Sequence, residues 1–222
     1  MLKAKEFRAQ ARTALKGKWG QAVIAGLIAG ILGGNVLYKG YSGSGASTAV
    51  GEDSLSSFSP ELIITAVIMV AVISALVILV GSIVGLGYAK FNLTLFENEK
   101  VDFRMIFSER KRYKECFMLY LLQIIYVTVG SLLFVIPGII ARYANILGAY
   151  IMVENPEMSA REALAKSREI MKGNKWRLFC LSFSFIGWDI LAYLSFGIGH
   201  LFLCPYEEAA VAAFYNEVKS SR

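Results

Sequence analysis

The chain has 222 residues, 56% of them hydrophobic and 18% charged, with a formal net charge of +6, whereas soluble domains run roughly 45–50% apolar and about 25% charged. That balance excludes an ordinary soluble domain and points to an integral membrane protein. The positive excess is no nucleic-acid footprint, because 21 of the 23 Lys and Arg fall in four short segments beside apolar runs.

The first such segment holds Lys3, Lys5, Arg8, Arg12, Lys16 and Lys18 and leads into an apolar run from Trp19 to Tyr38. The lead is long for a secretory signal and no small-x-small cleavage pattern follows, so a retained helix is expected. Gly26, Gly30 and Gly34 recur every four residues in this run, the spacing of a helix-packing ridge or of a homodimer face. Residues 40–60 follow, with 7 Ser and 4 Gly, and read as a flexible outer loop. No Gly-Lys-Ser/Thr completes a phosphate loop there.

A second apolar run covers Leu62 to Tyr88, with Gly81 and Gly85 as further packing positions. A basic stretch from Lys90 to Lys114 precedes the third run, Cys116 to Ile136, and Pro137-Gly138 turns the chain into a fourth, Ile139 to Val153. Between Glu154 and Arg177, Ser159 and Glu162 form a capping box. Ala160, Ala163, Leu164, Ser167, Ile170 and Met171 then share one helical face, and Gly173 is placed to end the helix. That face rests either in the lipid interface or on the protein itself. The last runs are Trp176 to Phe196 and Ile198 to Tyr215, with Pro205 expected to kink the sixth.

The pattern gives an all-α polytopic membrane helix bundle: one domain, residues 1–222, with about six transmembrane helices and cytoplasmic amphipathic interfacial helices. Basic loops resist translocation, so both termini should be cytoplasmic and the basic segments should face anionic lipid headgroups. Arg12 to Trp19 resembles Arg168 to Trp176, with a weaker version at Phe103 to Phe117. Three hairpin units, 1–88, 89–153 and 154–222, would share one orientation.

Five ionisable or hydroxyl residues inside spans are candidates for an intramembrane polar network: Arg142, Asp189, Tyr206, Glu207 and Glu208. A carboxylate at mid-bilayer costs roughly 2.5–3.5 kcal/mol, so these should face the bundle, with Arg142 paired to Asp189 or Glu207, or line a polar pathway. Enzymatic spacings fail. The single histidine, His200, cannot complete a His-Glu-x-x-His zinc site, no Gly-x-Ser-x-Gly is present, and Ala212 stands where a Glu-Glu-x-x-x-Arg protease signature needs arginine. No catalytic residue, metal ligand or cofactor is expected. Cys116, Cys180 and Cys204 read as small apolar residues rather than a disulfide set.

Several motifs together carry a resemblance: Pro137-Gly138-Ile139-Ile140, Met171-Lys172-Gly173-Asn174, Ser184-Phe185-Ile186-Gly187-Trp188, Gly197-Ile198-Gly199, Pro205-Tyr206 and Phe214-Tyr215. The chain resembles the bacterial integral membrane family catalogued as domain of unknown function 975, which is similar to the membrane domain attached to some glycerophosphoryl diester phosphodiesterases. The resemblance implies a six-span bundle in the bacterial cell membrane and no activity. The expected role is therefore non-catalytic, through lipid, a partner protein or a homo-oligomer. The alternative is a small transporter or channel using the Pro205 to Glu208 site.

Overall fold

The computed structural model describes residues 3–32, 59–97, 101–133, 135–195 and 198–220, and every regular element among them is helical. The helices are α1 (Ala4–Leu15), α2 (Trp19–Ile31), α3 (Pro60–Thr94), a 3-10 segment (Phe103–Arg112), α4 (Tyr113–Leu133) and α5 (Val135–Asn145). They continue with α6 (Gly148–Glu154), α7 (Ala160–Ile170), α8 (Lys175–Phe183), α9 (Ile186–Leu194) and α10 (Ile198–Ser220). Gly34, the end of the first expected span and most of the outer loop lie outside the described residues.

Among the described residues four segments are long and apolar enough to cross a membrane: Glu61–Thr94, Phe103–Leu132, Ile136–Glu154 and Lys175–Leu194. Trp19–Ile31 is apolar but shorter. α10 runs 23 residues through Pro205 but carries Glu207, Glu208, Glu217 and Lys219, and it falls outside that set. The expected fourth and fifth runs are each one span interrupted near its middle, at residues 146–147 and 184–185.

Each interruption frees backbone carbonyls, and side chains from other segments accept the task of satisfying them. The Ser167 hydroxyl donates to the Ala144 carbonyl at 2.8 Å and Gln123 Nε2 to the Asn145 carbonyl at 2.8 Å. Arg8 donates to the Ser184 carbonyl at 3.2 Å.

The amphipathic helices behave as their local sequence dictates. Ser159 caps α7 through the Glu162 N–H, and the Glu162 carboxylate accepts from the Ser159 N–H at 2.9 Å and from its hydroxyl at 2.8 Å. Those bonds hold the Glu162 carboxyl below the usual glutamate range. Gly173 ends this unit at φ +82°, and Gly17 ends α1 at φ +80°, a backbone region that glycine enters without a Cβ clash. The six-residue face expected of α7 is entirely buried. It rests on the protein, where Leu164 meets Gly148 of α6, which decides between the two placements open from the sequence. Phe7, Ala11 and Leu15 of α1 are buried in the same way.

The packing closes on itself. The 3-10 segment lies against α2 and α3, α7 against α4 and α6, and α1 against α8 and α10. In turn α4 packs on α3, α8 on α5, and α2 on α10. The returning helices α3, α6 and α10 meet in the middle, α3 touching both of the others and α6 reaching α10 through a Tyr150–Tyr215 stack at 5.6 Å.

Small residues set the closest approaches. A Cβ on Gly87 would collide with the backbone of Ile106, 2.7 Å from its Cα. Across the α4–α5 hairpin a Cβ on Gly130 would stand 3.1 Å from the Gly138 Cα, and one on Gly138 would collide with Ser131.

Candidate functional site

The second half of α10, from Leu203 to Tyr215, is buried at every position except Cys204. An apolar helix would need only small side chains there. This one supplies Ala209, Ala210, Ala212 and Ala213 for close packing and also two carboxylates, Glu207 at 6% exposure and Glu208 at 5%.

Successive residues on a helix lie about 100° apart, so the two glutamates face different neighbours. Glu208 turns to the centre, where its Oε2 accepts a hydrogen bond from the Tyr150 hydroxyl at 3.3 Å. About two turns further on, Tyr215 stacks on Tyr150 and donates to Glu154 Oε2 at 2.8 Å. Lys219 meets the same oxygen at 2.7 Å. A ladder of polar groups thus links the buried Glu208 to the exposed Lys219 at the end of α10. Tyr88 of α3 has Cys204, Glu208 and Tyr150 in its electrostatic surroundings and the Asn92 side chain within hydrogen-bonding reach.

The five residues picked from the sequence do not form one cluster around this centre. Tyr206 faces α1 instead: its hydroxyl donates to the Arg8 carbonyl at 3.1 Å, and its ring meets Phe185 edge-on at 5.2 Å. Asp189 of α9 lies 3.8 Å from Nδ1 of His200 in α10, and Tyr193 packs edge-on against the His200 ring at 4.8 Å. His200 precedes Glu208 by about 12 Å along the helix, so this pair is a separate feature. Arg142 is half-buried in the last turn of α5.

Of the packing glycines, Gly26 is buried and would bring a Cβ to 3.2 Å from the Tyr88 hydroxyl and 3.5 Å from Pro205 Cδ. Gly81 is also buried, Gly85 is half-buried, and Gly30 is exposed.

Sequence reasoning passed over Tyr88, Tyr150 and Tyr215, which line the centre from three helices. Their signal was available: each is a tyrosine late in an apolar run, preceded by a small residue within two positions.

Among the described residues no group of three or more His, Cys, Asp or Glu could hold a metal ion. Cys116, Cys180 and Cys204 are not joined to one another by disulfides. The centre offers a buried carboxylate, phenol hydroxyls and an amide oxygen, a set suited to holding a proton or a hard cation.

A family model described as "Protein of unknown function (DUF975)" matches residues 52–222, that is, everything from α3 onward. No curated protein and no solved structure matches the chain.

Proposed function

The chain belongs to the DUF975 family of proteins of unknown function, and with no activity to inherit from that membership we propose that it is a non-catalytic, multi-pass membrane protein acting at anionic lipid. In this reading six spans cross the bacterial cell membrane, with α2 and α10 added to the four long apolar segments, and both termini are cytoplasmic. Three hairpin units, about 1–88, 89–153 and 154–222, are arranged around an axis along the membrane normal.

The cyclic packing supports the three units. Each amphipathic segment lies on the two membrane helices of the unit before it, and α1 closes the ring on α8 and α10. The buried positions Phe7, Ala11 and Leu15 match Ala163, Ser167 and Met171 when Lys16-Gly17 is laid on Lys172-Gly173.

The observation that carries the functional reading is the collar these segments form. Their buried apolar residues pack on the protein, and Lys5, Arg12, Lys16, Arg104, Arg110, Lys111, Arg161, Lys166 and Lys172 are exposed. Basic residues near an anionic surface contribute about 1 kcal/mol each, and several act together here. The test is reconstitution in nanodiscs of phosphatidylcholine alone or with added phosphatidylglycerol. Anionic lipid should raise the unfolding temperature, and the triple change Arg161→Glu, Lys166→Glu, Lys172→Glu should remove much of that rise. Equal stability in both lipids would overturn the reading.

A second reading, a small transporter or channel, is favoured by two observations. Glu208 is buried among tyrosines in the middle of the bundle, and two neighbouring spans are discontinuous, a feature that polar sites in transporters use. Glu208→Gln that abolishes flux in proteoliposomes while leaving the protein folded would favour it. Loss of stability in detergent without any flux in the parent would favour a structural role.

A further inference from the structure

Charged side chains mark how far each hairpin stands clear of the packed bundle. On the α4–α5 hairpin, Arg168 lies 4.0 Å over the Tyr126 ring and donates to Asn145 Oδ1 at 3.0 Å. From Tyr126 to Leu132, beside the tip, α4 rises only about 9 Å. On the α9–α10 hairpin, Arg8 donates to the Ser184 carbonyl at 3.2 Å and Arg12 lies 6.0 Å over the Tyr206 ring. Ser184 to Leu194 is about 15 Å along the chain's helical rise, and Tyr206 back to Ile198 about 12 Å. Above these levels the exposed side chains are mostly apolar, Leu132, Ile136, Ile190 and Leu194 among them. The helix α3 differs: Lys90 pairs with Glu109 at 2.8 Å, and from there to Glu61 it runs about 44 Å.

A bilayer has a hydrocarbon core of roughly 30 Å, about twice what either hairpin presents above its arginines. A guanidinium facing hydrocarbon is costly, and so is the irregular backbone of a hairpin turn, so arginines and tip both belong among headgroups. On α9–α10 a second polar level says the same. Asp189 and His200 stand 3.8 Å apart between the Ser184 level and the tip, with side chains 32% and 26% exposed. Trp188 and Tyr193, residue types enriched at membrane interfaces, are exposed next to them. We propose that the bilayer is locally thinned around the α4–α5 and α9–α10 hairpins, whose lipid-facing surface is matched to short acyl chains, while α3 meets a bilayer of ordinary thickness. The proposal rests on the reading that these hairpins cross the membrane with a collar on anionic headgroups, and it names the chain length that reading leaves open. A bilayer accommodates a short segment by thinning and by snorkelling of flanking residues, and Arg8, Arg12 and Arg168 are placed to snorkel.

The experiment uses the full chain in nanodiscs of phosphatidylglycerol with myristoleoyl, palmitoleoyl, oleoyl or erucoyl chains, a series of rising thickness. The unfolding temperature should be highest in the shorter chains and fall by several degrees toward erucoyl. A water-soluble maleimide then reports on the tips, through Leu132→Cys and Leu194→Cys in a Cys116→Ala, Cys180→Ala, Cys204→Ala background. Both should be labelled in myristoleoyl lipid and severalfold more slowly in erucoyl lipid. Ser59→Cys, at the outer end of α3, should be labelled throughout, and Val70→Cys, in its exposed apolar half, in none. If the cysteine-free background does not fold, the parent's temperature series decides. A midpoint that is equal in all four lipids, or that rises with chain length, would overturn the proposal. Tips unlabelled in every lipid beside a labelled Ser59→Cys would also overturn it, by ending both hairpins inside the hydrocarbon. Phosphatidylcholine discs with the same chains separate this proposal from the collar. A chain-length response that survives there supports thinning even if the headgroup response is absent, and a headgroup response without a chain-length response overturns thinning alone.

Discussion

The two halves of α3 are one continuous helix in opposite surroundings. From Leu62 to Val80 the side chains are almost all exposed, Val70 at 63% and Met69 at 62%, and they are nearly all aliphatic. From Gly81 to Leu95 the helix is mostly buried, yet here it carries Ser82, Tyr88, Asn92 and Thr94, all at 5% exposure or less. The buried half is the more polar one. In water the reverse holds, because apolar burial drives folding. In lipid the exposed surface must be apolar, and the interior is held by close contacts of small residues and by hydrogen bonds. At about 52 Å, α3 exceeds the roughly 30 Å hydrocarbon core, so its polar end extends toward the basic loops.

That contrast predicts opposite responses to substitution along the same helix. The largest effect should come from Gly87→Val. A Cβ there meets the Ile106 backbone rather than a side chain that could move, so the 3-10 segment must separate from α3, at about 3 kcal/mol or more. Val70→Leu, in the exposed half, should change detergent stability by less than about 0.5 kcal/mol. If both variants unfold at the parent's temperature, the close contact between α3 and the 3-10 segment is not a determinant of the fold.

A charge reverses the comparison. Val70→Lys should cost about 2.5–3.5 kcal/mol in membrane insertion, read as a loss of membrane-integrated protein. Lys90 in the other half already sits in a 2.8 Å ion pair with Glu109 and should tolerate Lys90→Arg. Equal insertion of Val70→Lys and parent would show that the exposed half of α3 is not lipid-facing.

Inside the bundle the currency is hydrogen bonds. Ser167→Ala strands the Ala144 carbonyl at the interruption between α5 and α6, which should cost about 1–3 kcal/mol. Ser74→Ala removes a hydroxyl bonded only to its own helix at Val70 and should be close to neutral. The pair is checked by thermal unfolding in one detergent, and a neutral Ser167→Ala would mean that the interruption is held by the Gln123 bond alone.

What the sequence made legible divides along the same line. The capping box at Ser159, the stop at Gly173 and the buried face of α7 are local signals, set by residues within one or two turns, and each is present in the structure. The apolar runs at residues 62–88 and 116–136 are likewise properties of the segment itself. The interruptions at 146–147 and 184–185 were hidden, because Ser167 and Arg8, which satisfy their carbonyls, belong to distant segments. Gly87 could not be told from Gly81 and Gly85, since only the approach of Ile106 distinguishes it. Depth along each span suggested Arg142 as the partner of Asp189 or Glu207, but depth carries no azimuth, and the residue that stands 3.8 Å from Asp189 is His200.

The smallest effect belongs to neither half of α3 but to the water-facing end of α7. Glu162 is fully exposed, and the Ser159 N–H and hydroxyl hold its carboxyl below the usual glutamate range. A carboxyl lowered in the folded state binds fewer protons there than in the unfolded chain, so its contribution is complete above the ordinary glutamate value of about 4.3. It is lost as pH falls through the lower folded value. Water screens the group and the bonds are local, so the loss should appear as fraying of the first turn of α7, seen as faster amide exchange at Ala163 and Leu164 in acid. Glu162→Gln keeps an acceptor oxygen and loses the titration, so its exchange, corrected for intrinsic rates, should not accelerate further between pH 5 and pH 3. If the parent shows no acceleration in that window relative to Glu162→Gln, the capping bonds are not what lowers the carboxyl, and the exposed end of α7 is held only by its buried face.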